Sequence, residues 1–234
     1  MRASTPPSSL APSDFKSPTI QSRRSTSSTL EGLAPACCFP LLFAALTGRS
    51  GHGLASSASR YPPAVRFVVL HAHPQQDCLN VALLDRVVET LERAGHDAQV
   101  VRLTQGESID GVSVAGAQGL VFVYPTWWGG LPAPMLSWVQ RELVAWIDGA
   151  ADLATSPLRT VRHLVAVTTH GSTRWVNWLQ GEPGRHLLGR SVARLCAPGT
   201  RLRWIALYGV DQRSPAEVSA FVDGAAAEVA SIAA

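Results

Sequence analysis

The 234-residue chain is long enough for one large domain or for one domain with an extension, and its charge distribution favours the second arrangement. Residues 1–60 contain six basic and two acidic side chains, a charge of +4, which leaves −1 of the total of +3 for residues 61–234. The nearly neutral second part excludes the clustered positive charge of a nucleic-acid-binding domain. An apolar patch at residues 33–46 is interrupted by Pro35 and Pro40 and is too short to span a bilayer, so no integral membrane segment is predicted.

Residues 1–60 are rich in Ser, Thr, Pro and Ala, which predicts a disordered extension or a targeting segment before a domain at 61–234. Arg23 and Arg24 allow a poor match to a twin-arginine export signal, and the shortage of acids allows a transit peptide. A start codon assigned too far upstream is a further alternative. The four cysteines show neither metal-binding spacing nor a disulfide framework, so we predict no metal site and take the cytoplasm as the default location.

The domain alternates strand and helix signals. Apolar runs predict five strands, at residues 65–71, 98–103, 120–124, 163–168 and 204–208. Helical periodicity predicts helices between them, with Gly95 and Gly149 ending the first two and a long loop running from 168 to 184. Ser214 and Glu217 form a capping box for the last helix. Together these elements predict an α/β fold with a doubly wound, five-stranded parallel sheet.

The turn after the first strand, residues 73–80, contains no glycine, whereas a dinucleotide-binding fold has Gly-x-Gly-x-x-Gly at this point. It can still bind a phosphate through the free N–H groups at the start of the following helix. In the alternative interpretation, Asp77 is an ordinary helix N-cap, His73 a strand-end residue and Cys78 a small buried filler.

The third strand ends at Pro125, and Trp127 and Trp128 follow on a loop. Ligands of open α/β sheets bind at the carboxyl ends of the strands, and large aromatic faces suit a flat aromatic ligand. The alternative is that the two indoles plug the end of the sheet.

Three loops carry a resemblance to a known family. They contain His73-Pro74 with Cys78-Leu79-Asn80, then the run from Pro125 to Ala133, then Thr168-Thr169-His170-Gly171. In order and spacing this set resembles the NAD(P)H:quinone oxidoreductase family of flavodoxin-like flavoproteins over residues 65–230, with Cys78 where the family usually has serine. The resemblance implies a flavodoxin-like sheet with strand order 2-1-3-4-5.

By the same resemblance the cofactor is FMN, or alternatively FAD, and NADPH or NADH donates hydride that a quinone-like small molecule finally accepts. The first loop then contacts the flavin phosphate through His73, Cys78, Leu79 and Asn80. The isoalloxazine ring is lined by Pro125, Thr126, Trp127, Trp128 and Gly129. The pyrimidine edge is contacted by Thr168, Thr169 and Gly171, and His170 is the candidate catalytic residue that favours the reduced flavin.

The resemblance further implies a homodimer in which the loops of two subunits complete each other's sites. Two other functions stay open from the sequence. Relatives of the family serve as cytoplasmic ancillary subunits of potassium-efflux systems, and small flavodoxins carry electrons between partners. The nearly neutral domain disfavours the latter, because such carriers are usually strongly acidic.

Overall fold

A computed structural model describes residues 64–75, 77–103 and 114–232. The predicted extension at 1–60, with its targeting alternatives, lies outside these residues. In the described part of the chain no helix is both long enough and apolar enough to cross a membrane.

Five parallel strands form a single sheet with the order β2-β1-β3-β4-β5, which confirms the predicted fold and strand order. The strands are β1 (Arg66–His71), β2 (Asp97–Arg102), β3 (Gly119–Pro125), β4 (His163–His170) and β5 (Leu202–Tyr208). Central β3 is buried along its whole length, as expected for a parallel strand covered on both faces. The neighbouring strands β1, β3 and β4 all end at the same edge of the sheet.

Helices cover both faces of this sheet. They are α1 (Leu79–Arg93), α2 (Ala133–Ile147), α3 (Arg174–Leu179), α4 (Pro183–His186), a π-helical segment (Leu187–Val192), α5 (Ala193–Leu195) and α6 (Pro215–Ser231). The last helix begins with the predicted capping box, in which Ser214 and Glu217 exchange hydrogen bonds. Gly95 and Gly149 follow α1 and α2 with φ of +84° and +85°, the left-handed conformation that ends a helix.

The core consists of two layers, one on each face of the sheet. On one face Val68, Leu70 and Phe122 pack against apolar side chains of α2 and of the helical stretch 183–195. On the other face Phe67 and Val69 pack against α1 and α6. Alternate residues of β1 therefore point to opposite layers, which is the period-two pattern of a strand.

Gly119 begins β3 directly opposite Phe67 of β1. A Cβ atom at this position would lie 2.1 Å from Cδ1 of Phe67, whose side chain is fully buried. Glycine is therefore required here by the close approach of an aromatic ring rather than by backbone conformation.

The predicted loop at 168–184 is wrong. β4 continues to His170, and α3 occupies Arg174–Leu179 inside the segment that was expected to be irregular. The apolar side chains of α3, Trp175, Val176, Trp178 and Leu179, are exposed rather than directed to the core. Because they form no core-facing stripe with their neighbours, the periodicity of the sequence did not indicate a helix.

Candidate functional site

The loops that follow β1, β3 and β4 surround one cavity of about 620 Å³. Eleven of the thirteen predicted site residues line it: His73, Cys78, Leu79, Asn80, Pro125, Thr126, Trp127, Trp128, Gly129, Thr169 and Gly171. Thr168 and His170 do not, because alternate side chains of a strand point to opposite faces and Thr169, between them, is the one that faces the cavity. The convergence follows from the parallel register, which pairs Tyr124 with Thr168 and Pro125 with Thr169.

One end of the cavity is the amino terminus of α1. Cys78 is the N-cap residue, with extended backbone and no side-chain capping hydrogen bond. Its carbonyl accepts from Val81 and Ala82, and the N–H groups of Leu79 and Asn80 donate to no residue in the described part of the chain. The 15-residue helix places the positive end of its dipole here, with no acidic residue in its first turn. This end of the cavity therefore favours an anion.

The structure contradicts two of the three parts of the alternative interpretation of the first loop, those for Asp77 and Cys78. The N-cap is Cys78 and not Asp77, whose side chain is exposed. Cys78 is half-buried at the cavity wall rather than a buried filler. His73 does follow the end of β1, where its Nδ1 accepts a hydrogen bond from the Gln75 N–H at 3.0 Å.

Asn80 is the most buried polar residue at this end of the cavity, with 4% of its surface exposed. Its Nδ2 donates to Oγ1 of Thr169 at 3.1 Å, which ties α1 to β4. Its Oδ1 has no hydrogen-bond partner within the described residues. An unpaired buried oxygen is unfavourable, so this atom indicates a polar ligand or water in the complete site.

Residues 127–130 form a tight hairpin turn at the opposite end. Trp127 and Gly130 exchange backbone hydrogen bonds of 3.2 and 2.9 Å, and the two central residues, Trp128 and Gly129, have φ of +52° and +76°. Positive φ at both central positions is the pattern of a type I′ turn. For tryptophan this conformation is strained by about 1–3 kcal/mol.

The strained turn exposes its indoles. Trp128 is 96% exposed and Trp127 40% exposed, so Trp128 does not plug the end of the sheet and that alternative is wrong for this residue. Trp127 contacts His73 across the cavity rim, with ring centroids 6.0 Å apart. The N–H groups of Trp128 and Gly129 donate to no described residue. The hairpin therefore offers an aromatic face together with two backbone donors.

His170 is buried next to the site. The Nδ2 of Asn177 donates to three oxygens of Ser172 and Thr173, so its Oδ1 accepts from Nδ1–H of His170 at 2.7 Å. This leaves Nε2 of His170 as an acceptor facing the Thr126 hydroxyl at 3.4 Å. Burial lowers the pKa of His170, although Asn177 and Glu182 act in the opposite direction. The ring contacts Thr126, which lines the cavity, and the catalytic role of His170 stays a prediction.

The ring of His170 is also held from behind by Tyr208, which stacks on it with centroids 4.4 Å apart. The hydroxyl of Tyr208 donates to Glu182, which pairs with Arg185. Sequence reasoning did not connect Tyr208 or Glu182 with the site. They fix the orientation of the imidazole and, through it, of the Thr126 hydroxyl.

A family model described as "flavodoxin-like fold" matches residues 66–232, which is almost the entire described domain. The chain belongs to the flavodoxin-like fold family. No curated protein matches it in sequence.

Solved structures of similar fold agree with this assignment. Smu.1420 from Streptococcus mutans UA159 is 16% identical, with a TM-score of 0.58 and coverage of 71% of this chain and 100% of that one. An NAD(P)H:quinone oxidoreductase from Methanothermobacter marburgensis is 19% identical, with a TM-score of 0.54 and coverage of 72% and 97%. An FMN-dependent NADH-azoreductase from Bacillus anthracis is 11% identical, with a TM-score of 0.56 and coverage of 72% and 98%. At these identities the similarity establishes the fold.

Five residues of this flavodoxin-like chain line the cavity without having been predicted: Ser172, Asn177, Gln180, Val210 and Asp211. Val210 and Asp211 come almost directly after β5, so the rule that ligands bind at the carboxyl ends of strands could have identified them. The other three belong to the unpredicted α3 and the residues flanking it. Ser172-Thr173 offered a weak signal, since such residues often precede a helix.

A buried histidine makes the stability of the flavodoxin-like domain depend on pH. Burial, with the charges of Arg102 and His73 nearby, lowers the pKa of His71 from 6.5 to about 4. Between these values the unfolded chain binds a proton that the folded chain does not. We therefore expect the free energy of unfolding to fall by up to about 3 kcal/mol as the pH decreases from 6.5 to 4. Urea unfolding of the cofactor-free protein at several pH values measures this change.

The control for this prediction is the H71Q variant. Burial also lowers the pKa of His163 and His170, so the variant should keep a shallower dependence in the same direction. An identical pH dependence in H71Q and the wild-type protein would show that His71 is not its source.

Proposed function

We propose that the protein is a flavin-dependent oxidoreductase that transfers two electrons from NAD(P)H to a quinone or a similar small acceptor, with FMN as its cofactor. The observation that carries the proposal is one cavity that joins an anion-favouring helix terminus to an exposed aromatic turn, whose two central N–H groups donate to no described residue. Few ligands combine an anionic group for one end of this cavity with a flat aromatic ring for the other, and a phosphorylated flat heterocycle does. The names of two structures of the same fold, a quinone oxidoreductase and an FMN-dependent azoreductase, support the same class.

The residues present fit FMN. The cavity of about 620 Å³ lies within the range of small-molecule sites. The N–H groups of Leu79 and Asn80 would hold the phosphate, and the unpaired Oδ1 of Asn80 would accept from a ribityl hydroxyl or a bridging water. Trp128 would cover the ring, and the N–H groups of the turn would face its polar edge.

The bound flavin supplies two-electron transfer between a nicotinamide and the acceptor. The chain itself contributes position and polarity. The type I′ turn fixes two N–H donors without any rearrangement, which is the kind of preorganised donor that stabilises developing negative charge. His170 and Asn177 hold the Thr126 hydroxyl at the cavity wall, so we assign His170 as a positioning residue. Trp127, which contacts His73 at the cavity rim, would shield one side of a bound ring from water.

The test begins with the purified full-length chain stripped of cofactor. FMN added to it should bind with quenched fluorescence, and NADPH or NADH should bleach the absorbance of the bound flavin in the absence of an acceptor. Addition of a quinone should restore the absorbance. The same measurement with an azo dye in place of the quinone compares the two classes of acceptor. Protein that stays colourless with excess FMN and with excess FAD would overturn the proposal. Binding without bleaching would point instead to a carrier or a regulatory subunit.

We further propose that a second copy of the chain covers the exposed apolar side chains beside the cavity. Trp175, Trp178 and Leu179 of α3 are all well exposed, as is Trp128 of the neighbouring turn. A contiguous exposed aromatic surface of this kind is typical of an interface. Light scattering should give twice the chain mass of 24.9 kDa, and a monomeric mass would contradict the dimer.

A further inference from the structure

Cys78 occupies an unusual place for a cysteine. It is the N-cap of α1, half-buried at the wall of the cavity, and its thiol makes one weak contact with the carbonyl of Gln75, at 3.7 Å. Cys196, the other cysteine in the described part of the chain, is buried under α5 and donates to the Val192 carbonyl. Burial raises the pKa of Cys196 to about 12, which keeps its thiol protonated and unreactive.

A second observation indicates that a ligand binds beside Cys78. Asn80, two residues further along, is 96% buried and lines the same cavity, and its Oδ1 has no partner among the described residues. The N–H groups of Leu79 and Asn80, which donate to none of the described residues, lie on the first turn that Cys78 caps. Cys78 lines this end of the cavity together with Leu79 and Asn80, so an anion bound to these N–H groups would lie close to its side chain.

From this geometry we propose that Cys78 is a covalent modification site that the ligand protects, so that thiol modification and occupation of the phosphate end of the cavity exclude each other. The identity of the ligand rests on the proposed function, in which it is the phosphate of FMN. The modifying agents are electrophiles and peroxides small enough to enter the cavity. Modification of Cys78 would then make cofactor binding sensitive to oxidants.

The chemistry uses the thiolate form of Cys78. With iodoacetamide the sulfur displaces iodide: an S–C bond forms, the C–I bond breaks, and the thiol proton passes to solvent. With hydrogen peroxide the sulfur attacks one oxygen and the O–O bond breaks. The sulfur is oxidised by two electrons to a sulfenic acid, and the other oxygen leaves as hydroxide and becomes water. Both products add bulk where a phosphate would lie.

The experiment treats the cofactor-free full-length chain with iodoacetamide, with and without saturating FMN, and follows each cysteine peptide by mass spectrometry. Cys78 should react at least about tenfold faster than Cys196, because only the thiolate is nucleophilic and a buried thiol is inert. Saturating FMN should slow the labelling of Cys78 by at least about tenfold, because only the small fraction of protein without FMN can react. The labelling rate of Cys196 should not change. Hydrogen peroxide should weaken FMN binding, and dithiothreitol should restore it.

Two variants serve as matched controls. In C78S the dissociation constant of FMN should be the same before and after iodoacetamide, whatever its starting value. In C196A treatment should weaken FMN binding by at least about tenfold, as in the wild-type protein.

FMN that binds without changing the labelling rate of Cys78 would overturn this inference and leave the proposed function intact. Iodoacetamide sensitivity that persists in C78S would also overturn it. A chain that binds neither FMN nor FAD would remove the proposed function and the inference together. The wild-type labelling comparison requires no variant to fold.

Discussion

Replacement of Asn80 by aspartate is expected to weaken FMN binding by about 100-fold or more, because a carboxylate placed beside a bound phosphate is repelled by several kcal/mol. The side chain is almost fully buried at the amino terminus of α1, where solvent screens such repulsion poorly. The contact with Thr169 survives, since the threonine hydroxyl can donate to an aspartate oxygen in place of accepting from the asparagine amide. The fold should therefore be retained. Fluorescence titration with FMN measures the dissociation constant.

The matched control is Q180E, which adds the same charge elsewhere around the cavity. Gln180 lines the cavity near the turn at Gly129 and is exposed, so water screens the added charge. We expect a weakening of no more than about threefold, in line with the small energies of exposed charges. Equal losses in the two variants would mean that the phosphate does not bind at α1.

Replacement of Gly119 by alanine is expected to give the largest loss of stability, about 3 kcal/mol. The added Cβ would overlap the ring of Phe67, which is fully buried in a parallel pair of strands and has no free space to move into. Urea unfolding gives the change in free energy of unfolding.

Gly224 is the control for this substitution. It lies within α6, and a Cβ there would contact nothing within 4 Å. G224A should stabilise the protein by about 0.5–1 kcal/mol, because alanine is the better helix former. The prediction about Gly119 would fail if G119A were as stable as the wild-type protein.

Much of the architecture follows from the sequence because it depends on local patterns. Continuous apolar runs such as 65–71 are typical of parallel strands buried on both faces, and Ser214 with Glu217 marks the start of α6. The convergence of the three loops also follows, since parallel strands that neighbour one another end at the same edge. The structure brings eleven predicted residues around one cavity for this reason.

The remainder of the site depends on long-range contacts that no local pattern encodes. Asn177 looks like an ordinary helix-surface residue in the sequence, but the fold buries it against His170 at the end of β4. The exposed tryptophans of α3 give no core-facing stripe, so the helix escapes periodicity. The placement of His170 behind Thr126 depends on two extra residues at the end of β4.

A contact between two glycines joins the turn at the cavity to the start of α4. Gly184 donates to the carbonyl of Gly129 at 3.4 Å, and a Cβ at Gly184 would lie 3.4 Å from the carbonyl carbon of Gly130. The two backbone segments are in direct contact here, with no side chain between them that could change rotamer when one of them moves. We therefore expect a displacement of the tryptophan-bearing turn to be passed on to the start of α4, the segment that carries Glu182 and Arg185.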